Sequence, residues 1–188
     1  MKRIVIFASG SGTNAENIIE YFKEKEHISV AMVLSNKREA KVLDRAERHK
    51  ISSLSFNRTA FLKNDHIKEL LKSLNPDLIV LAGFLWKFPE SIIAEFPDRI
   101  VNIHPALLPK YGGKGMYGMN VHKAVVENGE KETGISIHYV NENYDEGAII
   151  FQARTEVLPS DSPEEVAAKV HQLEYEHFPV ILENLLHE

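Results

Sequence analysis

Residues 4–14, IVIFASGSGTN, decide the fold that the sequence predicts, because an apolar run passes directly into a loop with two glycines. Four consecutive apolar residues, Ile4 to Phe7, are typical of a strand in the middle of a parallel sheet with helices on both faces. The glycines allow a tight turn, and the N–H groups at the start of the following helix can close around an anion. The stretch therefore predicts a central strand, a phosphate-binding loop and a helix in succession.

The rest of the chain repeats this alternation of apolar runs and amphipathic stretches. The pattern predicts seven strands, at residues 2–8, 28–35, 52–56, 77–82, 99–103, 133–140 and 148–157. It also predicts helices that begin at residue 13, near residues 120–128, and from residues 160–164 towards the end of the chain. The β-α-β-α order is that of a parallel sheet. We expect an α/β fold, a doubly wound, mostly parallel central sheet flanked by helices, built as one domain over residues 1–188.

The composition limits the function classes. No apolar run approaches the roughly 20 residues that a bilayer span needs, so we expect a soluble, cytoplasmic protein without membrane contact. The chain has no cysteine, which excludes disulfides, thiolate zinc sites and cysteine nucleophiles. A net charge of −5 argues against nucleic acid as a partner, because phosphate backbones bind basic surfaces. The nine histidines are scattered, and we expect no metal.

The glycine loop admits two functional interpretations. Residues 10–15, GSGTNA, match the dinucleotide fingerprint with alanine in its third position. An NAD-dependent enzyme requires an acidic residue at the end of the second strand to bind the ribose hydroxyl. Residues 35–38 read SNKR and contain none, which disfavours NAD. Lys37 and Arg38 would suit the extra phosphate of NADP, so an NADP-dependent oxidoreductase stays open as an alternative. We favour a single phosphate bound at the start of the helix, by Gly12, Thr13 and Asn14.

A second constellation lies at the end of the fifth predicted strand. Asn102 and His104 are two positions apart, so their side chains leave the same face of a strand. A carboxamide can stabilise an oxyanion and an imidazole can move a proton, which together suit acyl transfer. Asp145, in the polar turn NYDEG of residues 143–147, would raise the pKa of the histidine if it lay nearby. On sequence distance alone, Asp145 is better explained as a turn residue.

The segment after this strand, residues 105–118, is rich in proline and glycine. It can be neither helix nor strand for long, so we expect a long irregular loop. Long loops at the carboxyl end of a strand in an α/β fold are usually functional.

Five motifs occur in order along the chain: SGSGTN at 9–14, VLSNK at 33–37, LAGF at 81–84, NIHPALLPKY at 102–111, and residues 134–147. With these motifs the chain resembles the phosphoribosylglycinamide formyltransferase family, folate-dependent enzymes of purine biosynthesis with a Rossmann-like fold. The resemblance implies transfer of the formyl group of 10-formyltetrahydrofolate, a co-substrate, to the glycinamide amine of N1-(5-phospho-D-ribosyl)glycinamide. The products would be the N2-formyl compound and tetrahydrofolate, and the enzyme a monomer or homodimer.

The resemblance also implies a role for particular residues. The catalytic groups would be Asn102, His104 and Asp145. The ribonucleotide would be held by Gly12, Thr13, Asn14, His171 and Glu174. The folate, bound largely through backbone groups, would contact Lys63, Leu85, Trp86, Lys87, Phe88, Asn102, Asn141, Glu142, Asn143, Tyr144 and Asp145.

Two features depart from the common pattern of the family. The loop at residues 112–118 is longer, and Arg58 competes with Lys63 for the basic position near the folate. Another formyl-folate enzyme, such as a methionyl-tRNA formyltransferase, remains an alternative because its catalytic strand is similar. We expect no basic second domain of the kind that tRNA binding needs.

Overall fold

A computed structural model of the chain describes residues 1–187. Strands and helices alternate along most of it. The strands are β1 (Lys2–Phe7), β2 (Ile28–Ser35), β3 (Ser53–Ser55), β4 (Leu78–Leu81), β5 (Ile100–His104), β6 (Glu132–Tyr139) and β7 (Ile149–Glu156). The helices are α1 (Thr13–Phe22), α2 (Lys41–Arg48), α3 (Arg58–Leu62), α4 (His66–Leu74), α5 (Glu90–Glu95), α6 (Met119–Glu127) and α7 (Pro163–His187).

All seven strands belong to one sheet, in the order β3-β2-β1-β4-β5-β6-β7. Strands β1 to β5 pair in parallel, and β6 pairs antiparallel with both β5 and β7. The expected doubly wound, mostly parallel sheet is therefore confirmed. The strand predictions differ from the structure only near their ends, and β5 extends one residue further than expected, so that His104 is its last residue.

The central strands bury alternate residues in two separate cores, because successive side chains point to opposite faces of the sheet. Ile4 and Ile6 pack on the side of α1 and α7, with Phe178 among their neighbours. Phe7 packs on the other side against an aromatic cluster, with its ring centroid 5.1 Å from that of Phe88. The apolar run that opened the chain is covered on both faces, as predicted.

The strand order creates a crevice between β1 and β4. These strands are neighbours, yet the chain leaves β1 towards β2 and leaves β4 towards β5, so their connections diverge. Two hydrogen bonds join the diverging loops at their base. The Ser9 N–H donates to the Gly83 carbonyl at 3.0 Å, and the Leu85 N–H donates to the Ser9 hydroxyl at 2.9 Å.

The antiparallel strand β6 brings a second set of polar residues to the end of β5. Its register sets His138 opposite Asn102 and Ser136 opposite His104, so all four side chains share one face. The chain leaves β6 beside the start of β5, where the Val140 N–H donates to the Ile100 carbonyl at 2.9 Å. The connection to β7 must therefore turn back to approach the site.

The described helices include none that is both long enough and apolar enough to cross a membrane. The longest, α7, has 25 residues and contains Pro179. It begins at Pro163, within the residues 160–164 where the sequence predicts the start of the last helix. Its first turn carries acidic residues, which the positive end of a helix dipole favours.

Gly147, in the turn between β6 and β7, has no room for a side chain. A Cβ there would lie 1.7 Å from the Tyr139 carbonyl oxygen, which is backbone and has little room to move. We expect Gly147→Ala to lower the free energy of unfolding by about 2–3 kcal/mol, as overpacking does. Denaturant unfolding measures this, with Gly10→Ala as the control, since nothing lies within 4 Å of a Cβ at Gly10. Equal stability of the two variants would contradict the expectation.

Candidate active site

A cavity of about 610 Å³ opens at the crevice. Its walls are the loop after β1, the loop after β4, the end of β5 with the irregular segment that follows, the β6–β7 turn and residues of α6 and α7. The volume lies in the range of small-molecule sites. The expectation of a long irregular loop is confirmed, since residues 105–118 contain no helix or strand and residues 113–118 line the cavity.

His104 lies in the cavity wall with only 3% of its surface exposed. Its Nε2 is 2.7 Å from the Tyr111 carbonyl oxygen, and because a carbonyl can only accept, this nitrogen carries a hydrogen. Its Nδ1 is 3.5 Å from Oδ2 of Asp145. The carbonyl therefore fixes the orientation of the ring and leaves Nδ1 directed at the carboxylate.

The Asp145 carboxylate joins three parts of the chain. Oδ2 accepts a 2.9 Å hydrogen bond from the Gly113 N–H, and Oδ1 lies 3.4 Å from Nδ2 of Asn102. The backbone of Asp145 is left-handed, with φ of 57°, which aspartate tolerates better than most residues. Asn102, His104 and Asp145 thus meet at one point, although Asp145 follows His104 by 41 positions in the sequence.

His138 is a member of this cluster that the sequence did not single out. Its Nδ1 donates to the Tyr139 carbonyl at 2.8 Å, so its Nε2 can accept the 3.0 Å hydrogen bond from the Asn102 amide. Nε2 also lies 3.6 Å from Oδ1 of Asp145. The alternation of apolar and polar residues at 135–140, ISIHYV, indicates that His138 shares a strand face with Ser136. Only the register between β5 and β6 shows that His138 lies opposite Asn102.

The pKa of His104 moves in the direction opposite to the one expected from the sequence. Burial lowers it, because a charged imidazolium loses solvation, and this outweighs the nearby Asp145 carboxylate, which raises it. The expectation that Asp145 gives His104 a raised pKa is therefore wrong in its net sign. Burial alone would raise the pKa of Asp145, but the contacts with His138, His104 and the Gly113 N–H hold it below its usual range.

The glycine loop forms the opposite end of the cavity. Gly12 has a φ of 75° and precedes α1, whose first N–H groups have no partners within the helix. The Asn14 side chain is held in place by Glu174, because its Nδ2 donates to Oε2 of Glu174 at 2.9 Å. Gly12, Thr13 and Asn14 all line the cavity, as an anion site requires.

His171 and Glu174 reach the same end of the cavity from α7. Nδ1 of His171 is 2.8 Å from Oε2 of Glu174, which is itself 4% exposed. This hydrogen bond raises the pKa of His171. The helical spacing of three residues therefore presents both side chains on one face, and Asn14 completes the group.

The residues that the resemblance assigned to the folate are spread more widely. Leu85 and Tyr144 line the cavity. Trp86 lines a second cavity of about 590 Å³, where the Arg58 guanidinium lies 5.1 Å from its ring centroid. Phe88 is 3% exposed in the aromatic core. Five further residues line neither cavity: Lys63, Lys87, Asn141, Glu142 and Asn143.

Sequence reasoning also missed His122, which is 2% exposed and lines the cavity from α6. Its ring centroid lies 6.4 Å from that of His171, and burial lowers its pKa. No spacing motif marks this residue, because α6 and α7 meet only in the tertiary structure. Within residues 1–187, no three histidine or carboxylate side chains form a group that could hold a metal ion.

Comparison with known proteins places this geometry in a family. The formyl transferase family model matches residues 2–182. The phosphoribosylglycinamide formyltransferase of Haemophilus influenzae is 39% identical over 187 residues, covering 97% of this chain and 86% of that protein. The chain belongs to the phosphoribosylglycinamide formyltransferase family.

Further members of the phosphoribosylglycinamide formyltransferase family agree over almost the whole length. The Bacillus subtilis phosphoribosylglycinamide formyltransferase is 35% identical and covers 99% of this chain and 95% of its own. The crystal structure of glycinamide ribonucleotide transformylase 1 from Geobacillus kaustophilus superposes with a TM-score of 0.90 at 33% identity, covering 99% of each chain. The expected family and fold are confirmed.

For this formyltransferase we expect the imidazole of His104 to titrate below the usual histidine pKa of about 6.5. Asp145→Asn should lower that pKa further, because it removes a negative charge that favours the imidazolium. NMR titration of the histidine ring signals measures both values, with Asp161→Asn as a control that removes a carboxylate paired with Lys169 instead. A His104 pKa that rises or stays constant in Asp145→Asn would refute the assignment.

Proposed function

We propose that the chain transfers the formyl group of 10-formyltetrahydrofolate to the glycinamide amine of N1-(5-phospho-D-ribosyl)glycinamide, in de novo purine biosynthesis. One observation carries the proposal. The glycine loop before α1 and the Asn102, His104 and Asp145 cluster open into the same cavity, so a phosphate and an acyl-transfer centre can belong to one bound pair of substrates. The family membership supports the same reaction.

The proposed reaction forms one bond and breaks another. The amine nitrogen bonds to the formyl carbon, the bond from that carbon to N10 of the folate breaks, and one proton passes from the amine to N10. Negative charge develops on the formyl oxygen in between. The active site therefore has to provide a donor for an oxyanion and a group that carries a proton.

Asn102 is the proposed oxyanion donor. One N–H of its amide is engaged with His138, while the other faces Asp145 at 3.4 Å. A hydrogen bond of that length is weak, so the second N–H can exchange it for a bond to an oxyanion at small cost and without rotation of the amide. His138 keeps the amide plane fixed while this happens.

His104 is the proposed proton carrier. Since its Nε2–H is donated to the Tyr111 carbonyl, Nδ1 is the nitrogen that accepts the proton of the attacking amine. The low pKa of His104 means that the ring starts neutral and is ready to accept. The imidazolium then formed can donate the same proton to N10 as the folate leaves.

Asp145 is proposed to stabilise the charged form of His104 during this transfer. Its carboxylate has a lowered pKa and is therefore ionised, with Oδ2 3.5 Å from Nδ1. It favours the imidazolium as an intermediate without making it the resting state, because burial opposes the charge. This assigns Asp145 a smaller electrostatic effect than the sequence suggested.

The ribonucleotide is proposed to occupy the end of the cavity at the glycine loop. Backbone N–H groups of Gly12, Thr13 and Asn14 would hold the phosphate, and His171 with Glu174 would contact the ribose and glycinamide part. The raised pKa of His171 supports this placement, because a protonated imidazole adds positive charge beside an anionic substrate.

The folate is proposed to enter between Leu85 and Tyr144, with its glutamate end reaching the second cavity at Trp86. Its contacts with Lys87, Phe88, Asn141, Glu142 and Asn143 are proposed as backbone contacts. For the basic residue we propose Arg58 in place of Lys63. The Asn57 side chain accepts a 2.9 Å hydrogen bond from the Ala60 N–H, which starts α3 so that Arg58 faces Trp86.

The partners in this proposal are the two small-molecule substrates, and the chain acts as one domain, in keeping with its single sheet. An NADP-dependent oxidoreductase is not favoured, because the family model and the relatives are formyltransferases. We retain a monomer or homodimer as the proposed assembly.

The direct test is release of tetrahydrofolate from 10-formyltetrahydrofolate when the ribonucleotide is added. We expect Asn102→Ala to reduce kcat by about 10²- to 10³-fold, since it removes an oxyanion donor. His104→Ala should reduce kcat by about 10²- to 10⁴-fold, since it removes the proton carrier. Steady-state kinetics at saturating substrates gives both values.

The matched control for Asn102→Ala is Asn128→Ala. The Asn128 amide donates to the Ala124 carbonyl at the end of α6, outside the cavity, so turnover should stay at the wild-type rate. Near-normal turnover of Asn102→Ala or His104→Ala would remove that residue from the mechanism. Tight binding of NADPH without any response to the ribonucleotide would contradict the proposed function.

A second test decides which basic residue meets the folate. We expect Arg58→Met to raise the KM for 10-formyltetrahydrofolate by about tenfold, the loss expected for one hydrogen bond to a charged group. The KM for the ribonucleotide should not change, because Arg58 lines only the second cavity. If Lys63→Met shows the larger effect on the folate KM, the sequence-based choice of Lys63 is right and Arg58 is not the contact.

A further inference from the structure

Helix α2 packs directly against the back of the glycine loop. The Val42 N–H donates to the Gly10 carbonyl at 3.2 Å. A Cβ at Gly12 would lie 2.4 Å from Cγ2 of Val42, so only glycine allows this approach. The loop therefore rests on α2 on one side and faces the cavity on the other.

Arg45 of α2 ties the loop to α1. Its Nε donates to the Ser11 carbonyl at 2.8 Å, and its Nη1 forms an ion pair with Oε2 of Glu16. A guanidinium suits this double contact, because its donors are fixed in one plane and point in different directions. The side chain is 24% exposed and does not line the cavity, so Arg45 acts on the loop from behind.

The ion pair between Arg45 and Glu16 matters for the binding of an anionic ligand. It lies in the first turn of α1, beside the N–H groups that face the cavity, where a carboxylate competes with a bound phosphate for the positive end of the helix. Two further side chains contact it, with Nη2 of Arg48 3.2 Å and Nε2 of His49 3.3 Å from Oε1. Glu16 is thus compensated on the side away from the cavity.

We propose that Arg45 is a positioning residue for the phosphate of the ribonucleotide. It holds the Ser11 carbonyl towards α2, so that the carbonyl oxygen stays away from the anion and the following N–H groups face it. Through Glu16 it also reduces the negative charge at the start of α1. This inference rests on the proposed function, which supplies the phosphate ester as the ligand.

The test compares Arg45→Met with Arg48→Met by calorimetric titration with N1-(5-phospho-D-ribosyl)glycinamide. Both variants remove one cation from Glu16, but only Arg45→Met removes the hydrogen bond to the Ser11 carbonyl. We expect Arg45→Met to weaken binding by about tenfold or more. Arg48, whose side chain is 65% exposed, should change it by less than about twofold.

Kinetics distinguishes positioning from a general structural role. In Arg45→Met the KM for the ribonucleotide should rise, while kcat and the KM for the folate stay near wild type. Arg45→Lys, which keeps the charge but has a single ammonium for two partners, should recover only part of the affinity. The result that supports the proposal is this selective change.

Three results would overturn the inference. One is wild-type affinity for the ribonucleotide in Arg45→Met, and another is an equal loss in Arg48→Met. A rise of both KM values together with a lower melting temperature would also overturn it, since that is the effect of a loosened fold. Failure of the proposed function shows itself separately, as a wild-type enzyme that neither binds the ribonucleotide nor releases tetrahydrofolate.

Discussion

The candidate site depends on one partly buried carboxylate, that of Asp145. Removing an ionised carboxylate from water is costly unless donors surround it, and here the Gly113 N–H and the Asn102 amide donate to it, with Nδ1 of His104 3.5 Å away. Each of these comes from a different segment or strand position. The need to satisfy this charge therefore brings together the end of β5, the irregular loop and the β6–β7 turn. The same contacts direct Asn102 and His104 at the cavity.

The antiparallel strand β6 is the part of the fold that makes this arrangement possible. Five parallel strands by themselves end in loops that all leave one edge of the sheet. Because β6 runs the other way, its polar residues lie across from those of β5, and the turn that follows comes back with Asp145. The site thus combines the crevice of a doubly wound sheet with a cross-strand polar pair.

The sequence was sufficient for the parts of the molecule that depend on local pattern. Apolar runs located the strands, glycines located the loop before α1, and a spacing of two set Asn102 and His104 on one face. His138 needed the register of β6, and His122 needed the packing of α6 on α7, neither of which a single segment encodes. The net pKa of His104 was missed for a related reason, because burial depends on every neighbour whereas the Asp145 charge was visible as a residue.

At both ends of the cavity, the hydrogen-bond donors are backed by carboxylates. Asp145 lies beside Asn102 and His104, Glu174 contacts Asn14 and His171, and Glu16 pairs with Arg45. Each carboxylate accepts hydrogen bonds, so it fixes its neighbours while its own charge is largely compensated. In the proposed placement, a dianionic ribonucleotide would meet N–H groups and little uncompensated negative charge. Burial of His104 agrees with the proposed mechanism, in which a neutral imidazole beside an ionised carboxylate becomes cationic only when the reaction delivers a proton.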